Sequence, residues 1–287
     1  MFPRVIPHFL VIKNNYTASK LQTQPRISPM QNNPDIRFEM RHDIAVVTLT
    51  RAKKRNALND ALIASLRHLF ENLPPETRAA VISGEGDHFC AGLDLSDLKE
   101  RDAGEGMHHS RSWHIALERI QYGPVPVVAA LHGAVVGGGL ELASACHIRV
   151  ADESAFYALP EGTRGIFVGG GGSVRIPRLI GVPRMTDMML TGRVYNAVDG
   201  ERAGFAQYLV PTGTAFEQAM QLAQRVATNA PLTNYALTHV LPRIADQPAD
   251  QGFITESMMS AIAQAAPEAK QRVRDFLEGR AAKVSKQ

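Results

Sequence analysis

The chain has 287 residues, enough for one large domain or two ordinary ones. Its composition, 45% hydrophobic and 21% charged, excludes a largely disordered protein. The net charge of +3 comes from residues 1–29, which hold four of the 31 basic residues and no acidic residue. The other residues hold 27 basic against 28 acidic groups, so the body is near neutral and we expect no nucleic-acid partner.

Residues 1–29 have their own composition, basic and free of Asp and Glu. In a eukaryote this composition is typical of a mitochondrial targeting segment. The alternatives are a disordered extension or a working start near Met30. We therefore expect a cytoplasmic protein, or a mitochondrial matrix protein if the source is eukaryotic. The apolar run 125–145 contains glycines, His132 and Glu141, so we expect a strand, a turn and a buried helix there and no membrane span.

The predicted elements alternate between strand and helix up to about residue 195. Strands are predicted at 44–50, 79–83, 125–131 and 148–151, and Asn59 and Asp60 are predicted to cap a helix after the first strand. Beyond about Asn196 helical periodicity dominates, over 214–229 and 253–281. We predict an α/β fold with an extension at 1–29, a core with the active site at 30–195, and an α-helical region at 196–287.

A glycine cluster at 137–139 precedes a predicted helix at 140–147. Glycine lets the chain turn sharply and lets a ligand approach the backbone. The first N–H groups of a helix have no intrahelical partner and carry the positive end of its dipole, so they stabilise a developing oxyanion. The turn formed by Ala91, Gly92 and Leu93 is predicted to supply a second N–H donor. This pattern predicts an anion hole.

Two glutamates accompany the anion hole. Glu141 follows Gly138 by about one helical turn, so its side chain projects on the side of the Gly138 N–H. Glu161 follows a predicted strand at 155–159 and a proline. Two carboxylates that flank one water can divide the work, because one takes a proton from the water while the other delivers a proton to carbon. Burial and mutual repulsion are expected to raise one of the two pKa values.

Several other chemistry-bearing residues have simpler structural interpretations. Asp94 is predicted to cap a short helix, and His88 and His132 are predicted to be structural. Cys90 and Cys146 stand in apolar contexts and fit no metal-ligand spacing, so we expect buried thiols and no metal site. A helix predicted at 106–121 carries one tryptophan and three histidines, which line a pocket or form a solvated face.

The order and spacing of these motifs resemble the crotonase (enoyl-CoA hydratase/isomerase) superfamily over roughly residues 36–281. The matching segments are 51–59 (RAKKRNALN), 89–95 (FCAGLDL), 132–142 (HGAVVGGGLEL), 160–161 (PE), 169–172 (GGGG), 190–193 (LTGR) and 203–204 (AG). The resemblance implies a spiral of ββα units with a helical C-terminal region that packs subunits into trimers, often hexamers. It also implies an acyl-CoA substrate and no separate cofactor.

The resemblance also implies roles for particular residues. Leu93 and Gly138 match the two positions whose N–H groups bind the thioester oxygen, and Glu141 and Glu161 match the acid/base pair of the hydratases. The residues that match the coenzyme A binding positions are Lys54, Arg55, Asn56, Ala57, Ala91, Phe276 and Lys283.

Alternatives remain open within this resemblance. They are an enoyl-CoA isomerase, a methylthioacryloyl-CoA-type hydratase that goes on to hydrolyse the thioester, an RNA-binding homologue, and a trimer without activity. The chain departs from the common family pattern at Val168, where proline is usual, and at Val174, where many hydratases have glutamine. It also carries an unusual Met107-His108-His109 segment. We expect these departures to lie near the acyl pocket.

Overall fold

Runs of β-branched and small apolar residues form two sheets. The computed structural model describes residues 33–97 and 99–280. The strands are β1 (Ile36–Arg41), β2 (Ile44–Leu49), β3 (Ala79–Gly84), β4 (Val127–Leu131), β5 (Ala134–Val136), β6 (Ile148–Asp152), β7 (Phe156–Ala158), β8 (Tyr195–Asn196) and β9 (Tyr208–Val210). One sheet has the order β1-β2-β3-β4-β6-β9, and the other has the order β5-β7-β8.

Most strand pairs of the larger sheet are parallel. Only β1, which forms a hairpin with β2, runs antiparallel, and β2, β3, β4, β6 and β9 follow in parallel register. Every residue of β2 and β4 is buried, as expected for strands covered on both faces. The sheet therefore confirms the predicted α/β class, and it places the loops after β3 and β4 at one edge.

Helices connect the strands. The helices are α1 (Asp60–Glu71), α2 (Ala103–Gln121), α3 (Gly138–Ala145), α4 (Gly172–Ile180), α5 (Val182–Thr191), α6 (Ala197–Ala203), α7 (Ala215–Ala227), α8 (Pro231–Tyr235), α9 (Leu241–Ile244), α10 (Ala249–Ala265) and α11 (Pro267–Leu277). Helices α1, α2 and α6 begin at residues whose side chains cap them. The predicted cap of α1 is confirmed, because the Asn59 side chain accepts the Leu62 N–H at 2.7 Å. Helix α2 begins earlier than predicted, because Asp102 and Glu105 form a capping box.

The predicted boundary between residues 195 and 196 falls inside the folded unit. Strand β9 completes the larger sheet by pairing with β6. Helix α7 packs its buried face, which includes Ala219, Leu222 and Ala223, against Val81 and Val128 of the sheet. Both elements contribute to the core, so the α-helical part that lies outside the sheet begins only after α7.

Helices α10 and α11 leave large apolar side chains exposed. Phe253, Ile254 and Met258 of α10 are more than half exposed, and so is Phe276 of α11. Among the described residues, no helix is long and apolar enough to cross a membrane. Lys283, Leu98 and the predicted extension at 1–29 lie outside the described residues.

Candidate active site

Two glycine turns meet beside β5. Gly92 and Gly137 both have positive φ, +95° and +52°, which side chains with a Cβ rarely adopt. A bridge between Cys90 and Val135 joins the two segments. A Cβ at position 92 would lie 2.7 Å from the Val136 carbonyl oxygen, so the close approach of the two turns also requires glycine.

The amides of Leu93 and Gly138 lie next to each other at this junction. Leu58 accepts a hydrogen bond from the Asp94 N–H and donates one to the Gly92 carbonyl, so the extended backbone directs the Leu93 N–H away from Leu58. Gly138 is the first residue of α3, and its N–H has no intrahelical acceptor. The Leu93 nitrogen lies 3.5 Å from the position that a Gly138 Cβ would occupy. The two amides therefore lie side by side at the mouth of the glycine turns.

Glu141 lies in the first turn of α3 and is buried. Its Oε1 accepts the N–H groups of Gly170 and Gly172, each at 2.8 Å. Burial raises the pKa of Glu141 to about 7. The two amides oppose this rise, and the charge of Glu161 adds to it. The carboxyl group is held rigidly and titrates near neutral pH.

Glu161 lies beyond the end of β7, at the start of a short 3-10 turn. A Cβ at Gly137 would lie 2.7 Å from its Oε1, so the carboxyl group packs against the turn that begins α3. Its Oε2 is buried and has no hydrogen-bond partner among the described residues. Burial raises the pKa of Glu161, and nearby Arg164 opposes that rise. A buried polar atom of this kind is expected to contact a bound molecule.

One cleft, with a volume of about 160 Å³, brings the predicted site residues together. Its lining includes Ala91, Leu93, Gly138, Glu141 and Glu161. The structure thus brings the two glycine turns and the two glutamates of the predicted site to a single space.

Helix α2 forms another wall of this cleft. Trp113 and His109 line it, and both contact Asp60, with Nε1 of Trp113 at 3.2 Å and Nε2 of His109 at 2.8 Å from Oδ1. Burial by itself would raise the pKa of Asp60, but the hydrogen bonds from Trp113 and His109 hold this pKa below its usual value. The pocket-lining interpretation of the predicted helix at 106–121 is confirmed for these two residues.

The segment predicted to bind coenzyme A forms a short 3-10 turn and the loop after it. Lys54 and Arg55 are exposed, whereas Asn56 and Ala57 are buried. The Asn56 side chain donates to the carbonyls of Glu85 and His88, so it holds the loop and does not face solvent. Direct contact of that side chain with a ligand is therefore not supported.

Asp94 connects this segment to the turn that carries Leu93. It is buried, and it pairs with Arg51 at 2.7 Å and with Lys54 at 3.1 Å. Hydrogen bonds from Ser96 and the two cations hold the pKa of Asp94 well below its usual range, although burial opposes them. Its Oδ1 also accepts the Ser96 N–H, as the predicted cap requires. The ion pairs were not predicted, because the partners are about 40 residues away in the sequence.

Arg175 was also missed by the sequence analysis. It is buried in α4, donates from Nη1 to the Gly170 carbonyl at 2.9 Å and from Nε to Gln121 at 2.6 Å. It therefore fixes the turn whose amides bind Glu141. The glycine cluster at 169–172 was the available signal, but a single sequence does not indicate which carboxyl group the cluster faces.

The histidines and cysteines behave as predicted. His88 accepts the Ala134 N–H at 3.1 Å, and His132 lies 3.0 Å from the Gly86 carbonyl. Burial raises the pKa of both Cys90 and Cys146 to about 12. These contacts are structural.

The departures from the family pattern have different outcomes. His109, from the unusual segment on α2, lines the cleft. Val168 is buried and Val174 is exposed, and neither contributes to the cleft lining. Val168 nevertheless lies between Phe167 and Gly169, which both line the cleft, so its expected place near the acyl pocket stays a prediction, as does that of Val174.

The fold and the site define a crotonase-type protein. Residues 39–287 match the family model described as enoyl-CoA hydratase/isomerase. The 2,3-dehydroadipyl-CoA hydratase of Escherichia coli is 32% identical over 239 residues, which cover 83% of this chain and 93% of that protein. The chain belongs to the enoyl-CoA hydratase/isomerase family.

Solved structures agree with this assignment. A proposed enoyl-CoA hydratase from Rhodopseudomonas palustris superposes with a TM-score of 0.85 at 56% identity, covering 88% of this chain and 98% of that one. An enoyl-CoA hydratase from Bacillus anthracis superposes with a TM-score of 0.80 at 29% identity, covering 86% and 97%. The predicted crotonase-like fold is confirmed, and the protein is an enzyme of the crotonase superfamily.

Proposed function

We propose that the protein adds water to the double bond of an α,β-unsaturated acyl-CoA thioester. The observation that carries this proposal is one cleft lined by Leu93 and Gly138, whose N–H groups have no backbone partner among the described residues, and by the carboxyl groups of Glu141 and Glu161. Hydration needs both kinds of group, because charge develops on the thioester oxygen while protons move at two atoms of the substrate.

The backbone donors would act on the thioester oxygen. As water adds to the β-carbon, electron density moves to this oxygen and an enolate-like state forms. The N–H groups of Leu93 and Gly138 are held in place by the fold, so they would stabilise that state without reorganising. The loss of one such donor typically costs about 3 kcal/mol of transition-state stabilisation.

The two glutamates would exchange protons with water and with the substrate. Glu141, whose Oε1 is occupied by two amides, would take a proton through Oε2 as the water oxygen bonds to the β-carbon. Glu161 would deliver its proton to the α-carbon. Transfer of the proton from Glu141 to Glu161 through solvent would restore the starting state. Because the pKa values of both glutamates are raised, the pair would hold one proton between them near neutral pH.

Conservative variants test this assignment. Glu141→Gln and Glu161→Gln each keep the side-chain size and remove the titrating group, so hydration of crotonyl-CoA should fall by at least about a hundredfold in each. The loss of absorbance of the conjugated thioester measures the rate. Glu201→Gln, on the exposed surface of α6, is the matched control and should retain wild-type turnover. Normal turnover in either active-site variant would contradict the proposed roles.

Isomerisation is a second candidate, because the two carboxyl groups differ in their hydrogen bonds. Oε1 of Glu141 accepts two amides, whereas Oε2 of Glu161 has no partner among the described residues. A single carboxyl group of the second kind can move one proton between two carbons of a 3-enoyl-CoA. Incubation with a 3-enoyl-CoA, followed by detection of the conjugated product, measures this activity. Release of free coenzyme A in a thiol assay would instead indicate thioester hydrolysis after hydration, as in the methylthioacryloyl-CoA-type alternative.

We also propose that the protein assembles as a trimer or hexamer. The exposed apolar side chains of α10 and α11, which include Phe253, Met258 and Phe276, support this proposal, because burying them between subunits would remove them from water. Light scattering of the full chain measures the mass of the assembly. A monomer at micromolar concentration would contradict the proposal.

A further inference from the structure

The cleft is lined by basic residues as well as by the two glutamates. Five of the eighteen lining residues are ionisable, namely Glu141, Glu161, Arg101, Arg164 and His109. The proposed reaction uses both glutamates. The remaining three are basic, and an uncharged hydrocarbon chain has no use for them.

Asp60 is the acidic partner of two of these basic residues. It contacts His109 at 2.8 Å and Arg101 at 3.9 Å, and it is exposed to solvent outside the cleft lining. It can therefore hold both side chains in position from outside the cleft. Arg164 has no ion pair among the described residues, and its charge acts on Glu161, whose pKa it lowers.

The location of Trp113 shows which part of the cleft these basic residues border. Its ring lies 3.1 Å from the position that a Gly138 Cβ would occupy, so it stands beside the anion hole. His109 lies one helical turn before Trp113 on α2, and both are tied to Asp60, which Arg101 also approaches. The basic side chains therefore follow a wall that begins at the reacting atoms. Ile166 and Phe167 also line the cleft and offer an apolar surface to methylene groups.

Given the proposed hydratase function, we infer that the preferred substrate is an enoyl-CoA whose acyl chain ends in a carboxylate. Arg101 is the principal anchor, and Arg164 supplies further positive charge. A guanidinium binds a carboxylate through paired, charge-assisted hydrogen bonds. Methylene groups between the double bond and the carboxylate would pack against Phe167.

Two substrates of equal length isolate the acyl terminus. trans-2-Hexenoyl-CoA ends in a methyl group, and trans-2-hexenedioyl-CoA ends in a carboxylate, while the coenzyme A portion is the same. Dividing kcat/KM for the second substrate by kcat/KM for the first therefore cancels effects on coenzyme A binding and on the glutamates. We expect the wild-type ratio to be about ten or more, as for a hydrogen bond to a charged group.

Arg101→Gln should bring this ratio close to one, and Arg101→Lys should restore part of it. Arg111→Gln is the matched control, because Arg111 lies on α2, which begins just after Arg101, pairs with Glu118 and does not line the cleft. Its ratio should equal that of the wild type. Thermal unfolding of each variant checks that the fold is kept, and the wild-type ratio remains a test if a variant fails to fold.

Three results would overturn the inference. Equal wild-type kcat/KM values for the two substrates would show that the protein has no preference for a terminal carboxylate, and the proposed hydratase function would be unaffected. An equal loss on both substrates in Arg101→Gln would assign Arg101 to the coenzyme A portion. Hydration of neither substrate would reject the proposed function itself, and the inference with it.

Discussion

Replacing Glu141 by glutamine should stabilise the folded protein at neutral pH while it removes activity. The glutamine Oε1 can still accept the N–H groups of Gly170 and Gly172, so the turn is kept. What disappears is a carboxyl group that is buried and becomes ionised near pH 7.

The size of this effect follows from the pKa. Burial raises the pKa of Glu141 from 4.5 to about 7 in the folded protein. Below about pH 4.5 the group is protonated in both the folded and the unfolded state, so it adds no pH dependence. As the pH rises towards 7, the unfolded state releases its proton first, and the folded state loses relative stability. The full difference corresponds to about 3 kcal/mol.

Urea unfolding from about pH 4 to about pH 8.5 measures this quantity. The free energy of unfolding of the wild type, minus that of Glu141→Gln, should fall by about 3 kcal/mol across this range and level off above about pH 7. Glu76→Gln is the control, because Glu76 is exposed and its difference curve should be flat. A flat curve for Glu141→Gln, or one that rises with pH, would refute the reasoning.

Three further predictions concern the site. The plot of kcat/KM against pH should be bell-shaped with its acidic limb near pH 7, because Glu141, the proposed base, would have to be ionised and its pKa is about 7; an acidic limb near pH 4.5 would be inconsistent with the burial of this group. Asp94→Asn should lower the free energy of unfolding by about 3 kcal/mol in urea, because it leaves Arg51 without one of its partners in a largely buried pair; an unchanged midpoint would argue against that pair. Gly137→Ala should reduce kcat at least tenfold, because its Cβ would displace the Glu161 carboxyl group. A tenfold loss corresponds to a rise of about 1.4 kcal/mol in the activation free energy. Gly213→Ala is the control, because Gly213 also has positive φ but has no neighbouring atom within 4 Å of the added Cβ, and equal kcat losses in both would show that backbone strain alone is responsible.

The sequence predicted the parts of the site that depend on local geometry. Gly137 and Gly138 precede a helix, and helical spacing alone places Glu141 on the side of the Gly138 amide. The Asn59 cap and the strand–helix alternation are local in the same sense. The family resemblance then related Leu93 and Glu161 to these residues, although they are distant in the sequence.

Contacts between distant segments were beyond the sequence analysis. The amides of Gly170 and Gly172 bind Glu141 across about 30 residues, and Arg175 fixes their turn. Beyond the predicted boundary at 195/196, the helical periodicity of α7 likewise does not reveal that its apolar face covers the sheet. Periodicity indicates that a face is buried, and only the packing shows what buries it.

The fate of water oxygen tests the central claim most directly. Wild-type protein and crotonyl-CoA should be incubated in water enriched in heavy oxygen, and the thioester product examined by mass spectrometry. We expect one heavy oxygen atom on the β-carbon of an intact coenzyme A thioester, with almost none in Glu141→Gln. If crotonyl-CoA binds to the wild-type protein but the recovered thioester carries no heavy oxygen, the account is contradicted.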